Sequence, residues 1–123
     1  MSYSWRSADE FLSPTYPGVR YRISKMSMGR RLELTRRVKE LMAKLEFSQA
    51  GTEAADKVDA ALLAGEMDRL YWDFGLETVD GLEINGEAAT PSVLFEKGPE
   101  GLTREILIRI RANTQLSDDE RKN

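Results

Sequence analysis

Two dipeptides set the strongest constraint on what this chain can fold into. Asp80-Gly81 and Asn85-Gly86 flank the alternating triplet Leu82-Glu83-Ile84. Asp-Gly and Asn-Gly are the residue pairs that best tolerate the positive φ angles of tight hairpin turns. The segment therefore predicts a small β-hairpin, with Leu82 and Ile84 on one face covering neighbouring helices. It sits inside a longer stretch, Leu70 to Ile106, that organises the chain: LYWDFGLETVDGLEINGEAATPSVLFEKGPEGLTREI. That stretch brings Tyr71, Trp72 and Phe74 together, and Pro91 and Pro99 mark helix starts within it.

Upstream the pattern is helical. Ser27 is placed to cap a helix from Met28 to Phe47, in which Leu34, Val38, Leu41, Met42 and Leu45 fall on one stripe. Its other faces carry Arg30, Arg31, Arg36, Arg37, Lys39 and Lys44. Glu33–Arg37 and Glu40–Lys44 are spaced four apart with the acid first, the favoured order for helix-surface pairs. That spacing reads the basic face as a solvated helix surface. Gly51-Thr52 ends this helix, and Thr52 can cap a second, Glu53 to Phe74. The second stripe is Val58, Leu62, Leu63, Met67, Leu70, Tyr71 and Phe74, with Ala54, Ala55, Ala60, Ala61, Ala64 and Gly65 among the other positions. Gly65 costs about 1 kcal/mol relative to alanine there and predicts a bend or a close contact. Gly75 stands where a left-handed glycine ends a helix, followed by the apolar Leu76.

The N-terminal residues 1–18 contain Pro14, Pro17 and Gly18 and predict an arm without a regular element, in which Ser7-Ala8-Asp9-Glu10 starts at most one helical turn. Trp5, Phe11, Leu12 and Tyr16 either pin the arm to the body or form a partner-binding segment. Val19 to Ser24 alternates apolar and polar and predicts a short strand, with Arg20 and Arg22 outward. As an edge strand, its basic face would suit an acidic partner. Contact between this strand and the hairpin would give a small sheet.

Thr90-Pro91 caps a short helix to Glu96, and Gly98-Pro99 stops it and starts the next, to about Asn113, striped by Leu102, Ile106, Leu107 and Ile110. Arg104, Arg109 and Arg111 are assigned outward, the last two near the helix end that favours cations. Ser117 and Glu120 form a capping box that opens a last polar turn. The predicted fold is mainly α-helical α+β, with a long antiparallel helix pair, a short β-hairpin and C-terminal helices. It divides into an arm (1–18), a helical domain with a small β element (19–116) and a polar tail (117–123).

Composition narrows the chemistry. A chain of 123 residues is most simply one domain, long enough to bury roughly two-thirds of its unfolded surface without metal or disulfide. Cysteine and histidine are both absent. This excludes disulfides and removes the side chains most used for nucleophilic, acid–base and transition-metal chemistry. No cofactor is implied. Ser and Thr have no histidine base, and Asp80, Glu83, Glu87 and Glu96 lack the spacing of a calcium loop. The net charge of −3 argues against nucleic-acid binding overall, although the first fifty residues are basic. The Arg30-Arg31 and Arg36-Arg37 doublets carry the alternative of a small nucleic-acid-binding regulator. No apolar run spans a bilayer and no leader pattern opens the chain, so the expectation is a cytoplasmic protein.

Three blocks, PGVRYRISKMSMGRRLEL, YWDFGLETVDGLEINGEAATPSVLFEKGPEGLTREI and LSDDERKN, resemble the tail assembly chaperones of long-tailed bacteriophages and prophages. Phe74-Gly75-Leu76 stands where the family pattern has Trp-Gly-Leu, with Trp72 two places earlier. The resemblance implies a non-enzymatic protein that binds the tape-measure protein, helps recruit tail-tube subunits and leaves before the particle is finished. It also implies a longer form made by −1 frameshifting near Arg121-Lys122-Asn123. A groove that takes amphipathic helices fits that role. The candidate anchors are Tyr71, Trp72 and Phe74, with Leu82, Ile84 and Phe95 nearby, or else Trp5, Phe11 and Tyr16 in the arm. Plain core packing is the alternative for each. A phage structural protein, such as a tail terminator or head–tail adaptor, is the competing reading, and the Ala-rich face of the second helix (53–74) and the N-terminal strand are the candidate self-association surfaces.

Overall fold

In the computed structural model, which describes residues 1–122 and side chains through Thr114, the alternating segment becomes the centre of a sheet. Strand β2 (Arg20–Ser24) buries Tyr21 and Ile23 and leaves Arg20 and Arg22 in solvent. It is flanked by β1 (Ala8–Leu12) and β3 (Leu76–Asp80), both antiparallel to it. Two expectations change here. The arm does hold a regular element, because residues 8–12 pair along β2 from Ala8 opposite Ser24 to Leu12 opposite Arg20. And β2 is central rather than an edge, so its basic residues project from a face of the sheet rather than from an open side.

The Asn-Gly hairpin forms as expected, with β4 (Glu83–Ile84) and β5 (Glu87–Ala88) joined through Asn85 at φ 54° and Gly86 at φ 82°, whereas Asp80-Gly81 closes no hairpin and leads the chain from the three-stranded sheet into β4. It stands as a separate two-stranded unit, so the partners of β2 are β1 and β3 instead.

Between β2 and β3 the chain makes a two-helix excursion. Helix α1 (Met28–Ala50) starts at Ser27, whose hydroxyl accepts the Arg30 backbone N–H at 3.3 Å. Helix α2 (Ala54–Gly75) is capped at Glu53 rather than Thr52, and the Asp56 carboxylate accepts the Glu53 backbone N–H at 3.3 Å. Glu33 holds both Arg36 and Arg37. Glu40 and Lys44 form no ion pair among the described residues. Gly65 has open space where a side chain would stand, so it marks no close contact.

Gly75 is the last residue of α2 and does not take the left-handed conformation; Leu76 after it is extended. Its reason lies across the interior. A Cβ there would stand 2.4 Å from Ile110 Cγ2 and 2.7 Å from Cγ1.

Helix α3 (Pro91–Lys97) begins at Thr90, whose hydroxyl accepts the Val93 N–H at 3.2 Å. Helix α4 (Glu100–Lys122) runs through Ser117 without interruption, so the capping box opens no separate turn. Arg109 and Arg111 consequently lie in mid-helix, far from its end. The side chains of the polar tail, with Asn123, lie outside the described residues.

The core joins sheet and helices: Val19, Tyr21 and Ile23 from the sheet side, Trp72, Leu76 and Val79, then Leu94, Leu102, Ile106, Leu107 and Ile110. The stripe read on α4 is buried throughout. Leu34 of α1, with Met67 and Leu70 of α2, is buried outside this cluster.

Candidate partner-binding surface

The aromatic cluster folds inward. Trp72 is 1% exposed, its indole N–H donates to the Pro91 carbonyl at 2.9 Å, and its ring centroid lies 5.4 Å from that of Phe95. A buried indole with a satisfied N–H is a core residue, which removes Trp72 from the anchors. Tyr71, Leu82, Ile84, Phe95, Phe11 and Tyr16 are partly buried against the same core.

Arginines cover what remains of these rings. Arg111 lies 4.4 Å from the Tyr71 centroid and donates to Asp68 at 2.8 Å. Arg69 lies 4.9 Å from the Phe95 centroid and pairs with Asp73 and Glu96. Arg109 lies 4.3 Å from the Phe11 centroid. The outward assignment of Arg109 and Arg111 is thus corrected: both guanidinium groups lie over aromatic rings within cation–π distance. Phe74 lies under Arg30 and Arg37, at 4.9 and 5.7 Å, and its carbonyl accepts from Arg30 at 3.0 Å.

A polar network holds the N-terminal segment to α4. The Glu105 carboxylate accepts from Ser13 Oγ at 3.0 Å and from the Tyr21 hydroxyl at 2.8 Å. Arg109 Nε donates to the Tyr21 oxygen at 3.2 Å, and Ser13 Oγ accepts the Tyr16 N–H at 3.0 Å. Burial pushes the Tyr21 hydroxyl pKa above its usual 10.0, the neighbouring Glu105 adding to the shift and Arg109 opposing it. Among the described residues no group of three or more acidic side chains could hold a metal ion. Among these residues no helix is long and apolar enough to cross a membrane.

The surface available to a partner lies elsewhere, in two places. Trp5 is the one sequence-proposed anchor that stays largely in solvent, at 54% exposure, with Lys25 Nζ 5.9 Å from its centroid. It lines an open groove of about 400 Å³ with Lys25, Arg31, Ile110 and Asn113. Tyr3 before it is 90% exposed and Leu12 of β1 is 68% exposed.

The second place is the α1–α2 excursion. Its apolar side chains Met28, Leu32, Phe47, Val58 and Leu62 are all exposed, and Met42 is 42% exposed. Of the apolar residues on α1, only Leu34 is buried. A helix in a protein draws most of its stability from packing one apolar face. Helix α1 lies against α2 with Val38, Leu41 and Leu45 half-buried and Leu34 fully buried, and leaves its other apolar side chains in solvent. Part of the signal was present in the sequence: Met28, Leu32 and Phe47 fall off the stripe read on α1, whereas Met42, Val58 and Leu62 were read on the stripes and are exposed.

Compared with protein-family models, curated proteins and solved structures, the chain matches none.

Proposed function

We propose that this protein is a non-catalytic assembly chaperone of the phage-tail type, which binds the tape-measure protein in the host cytoplasm and helps bring tail-tube subunits to it. The observation that carries this reading is the apolar surface left uncovered: Tyr3, Trp5, Leu12, Leu32, Phe47 and Leu62 are all exposed. Exposed aromatic side chains such as Trp5 are the type that anchors protein partners. The lack of histidine and cysteine supports a role in binding over one in catalysis.

Trp5, with Tyr3 and Leu12, is the surface assigned to the tape-measure protein. The test is co-expression with the tape-measure protein of the same gene cluster. The expected result is a soluble tape-measure protein that co-purifies with the chain, and loss of both with Trp5→Ser while helicity is unchanged. A tape-measure protein that stays insoluble with this chain, and with any longer form of it, would refute the reading.

A further inference from the structure

We infer that the open edge of strand β1 is a self-association site. A second copy of this chain lays its own β1 antiparallel along it, about a two-fold axis at Ala8, and the two three-stranded sheets become one continuous sheet. The inference needs no partner but the chain itself and so stands apart from the chaperone reading. Trp5 belongs to both surfaces, so tape-measure binding and dimer formation compete.

The main chain supplies the bonding groups. Among the described residues β1 pairs with β2 and with no other strand. The Ser7 carbonyl accepts the Lys25 N–H at 2.8 Å, and the Ser13 N–H donates to the Val19 carbonyl at 2.9 Å. Alternate residues of an antiparallel strand face the same neighbour. Ser7, Asp9, Phe11 and Ser13 therefore turn their main-chain groups to β2, and Arg6, Ala8, Glu10 and Leu12 turn theirs away from it. Such a row of donors and acceptors is a template for another strand.

The side chains decide the occupant and the register. By the same alternation Arg6, Ala8 and Glu10 stand on the outer face of the sheet, and Trp5, Ser7, Asp9 and Phe11 on the inner face, where Phe11 meets the core. Asp9 is paired with Lys25 at 3.6 Å, whereas Arg6 and Glu10 make no ion pair among the described residues. The other charges on β2 and β3, Arg20, Arg22, Glu77 and Asp80, are two of each sign and lie behind the edge. An axis at Ala8 sets Arg6 opposite Glu10 of the second copy, and Glu10 opposite its Arg6. It sets the exposed Trp5 opposite Phe11 of the second copy and Asp9 opposite its Ser7, with the small Ala8 facing itself. Opposite charges and aromatic pairs directly across a ladder are favourable, and the symmetry repeats each of them. Neighbouring registers lose this match. An axis at Ser7 gives neither Arg6 nor Glu10 an opposite charge. An axis at Asp9 faces two aspartates, and one at Glu10 faces two glutamates. An axis at Phe11 runs the ladder onto Pro14, which has no N–H.

The experiment is sedimentation equilibrium of the full chain alone. The wild-type chain is expected at twice 13.9 kDa. Ala8→Pro should sediment at 13.9 kDa with its fold intact, because the Ala8 N–H faces away from β2 and an edge of that kind tolerates proline. Arg6→Glu and Glu10→Arg should each be monomeric, since like charges then face each other. Mixing these two chains should restore a dimer, because each altered position then meets its complement. Circular dichroism checks that the fold is kept.

If these chains fail to fold, a crosslink takes their place, since the sequence holds no cysteine of its own. Ala8→Cys puts two thiols on the axis with their Cα atoms about 5.5 Å apart, within disulfide reach, so mild oxidation should link the chains. Leu12→Cys, about 27 Å from its copy, should stay unlinked. A wild-type monomer at all concentrations would overturn the proposal. So would a dimer that Ala8→Pro leaves intact, or one that Glu10→Cys or Leu12→Cys links more readily than Ala8→Cys. None of these readouts involves the tape-measure protein, so either reading can fail alone.

Discussion

Replacing Gly75 by alanine tests the packing account at its tightest point. The added Cβ would stand 2.4, 2.7 and 2.9 Å from three carbons of the Ile110 side chain. Ile110 is 1% exposed and branched at Cβ, which restricts its χ1 in a helix and makes withdrawal costly. Overpacking of this kind costs about 1–3 kcal/mol, offset by up to about 1 kcal/mol from the better helix propensity of alanine. The contact distances place Gly75→Ala in the upper half of that range, a net loss of about 1–2 kcal/mol. A loss alone would not separate this account from one in which Gly75 is a left-handed cap, since that too would be weakened by alanine. The double-mutant cycle with Ile110→Ala does so. Alone, Ile110→Ala should cost about 2–5 kcal/mol through the space it leaves. With both changes the new methyl group enters that space, and the pair should cost at least about 1 kcal/mol less than the two single changes added together. Urea denaturation followed by circular dichroism measures all four chains. Strict additivity, or a Gly75→Ala chain as stable as wild type, would refute the reasoning.

Two further predictions concern the network and the turns. Because burial raises the Tyr21 pKa in the folded state, its contribution to stability is complete below pH 10 and is lost as pH rises above it; Tyr21→Phe should be less stable near neutral pH by about 1–2 kcal/mol and should lose less stability between neutral pH and strong alkali, as read from denaturation midpoints. Gly81 and Gly86 share similar positive φ angles, yet a Cβ at Gly81 would stand 2.0 Å from the Gly18 carbonyl oxygen while one at Gly86 meets open space. Gly86→Ala should therefore show only the backbone strain of about 1–2 kcal/mol, and Gly81→Ala a clearly larger drop in melting temperature.

The helices and the hairpin were legible in the sequence because a single local pattern specifies each. The α4 stripe, the Thr90 and Ser27 caps and the Asn85-Gly86 turn depend on neighbours within a few residues. Strand β3 was not legible, for a physical reason. A bulge opposite Arg22 and Ile23 pairs Ile23 with Leu76 but Arg22 with Thr78, so Leu76 and Val79 are both buried although three residues apart. Period-two reading fails across such a bulge. Strand β1 carries Asp9 and Glu10 and pairs on one side only, so ADEFL lacks an alternating apolar face. The candidate surface was half legible. Aromatic side chains serve cores and interfaces alike, so the sequence located the cluster around Trp72 without assigning its side of the boundary. Burial assigned it to the core and left Trp5 outside.

The junction at Gly75 and Leu76 has a mechanical consequence. Helix α2 becomes strand β3 with no residue between them, and only Lys25 to Ser27 separate β2 from α1. Both legs of the hairpin are thus rooted in adjacent strands of one sheet, with no connecting residue at the α2 root and three at the α1 root. Force applied at the tip, some 30 Å away along α2, meets no connecting loop at the α2 root. It must reach the pairing of β2 with β3 as torque. Whatever grips the tip therefore acts on a stiff lever, with the sheet as its fulcrum.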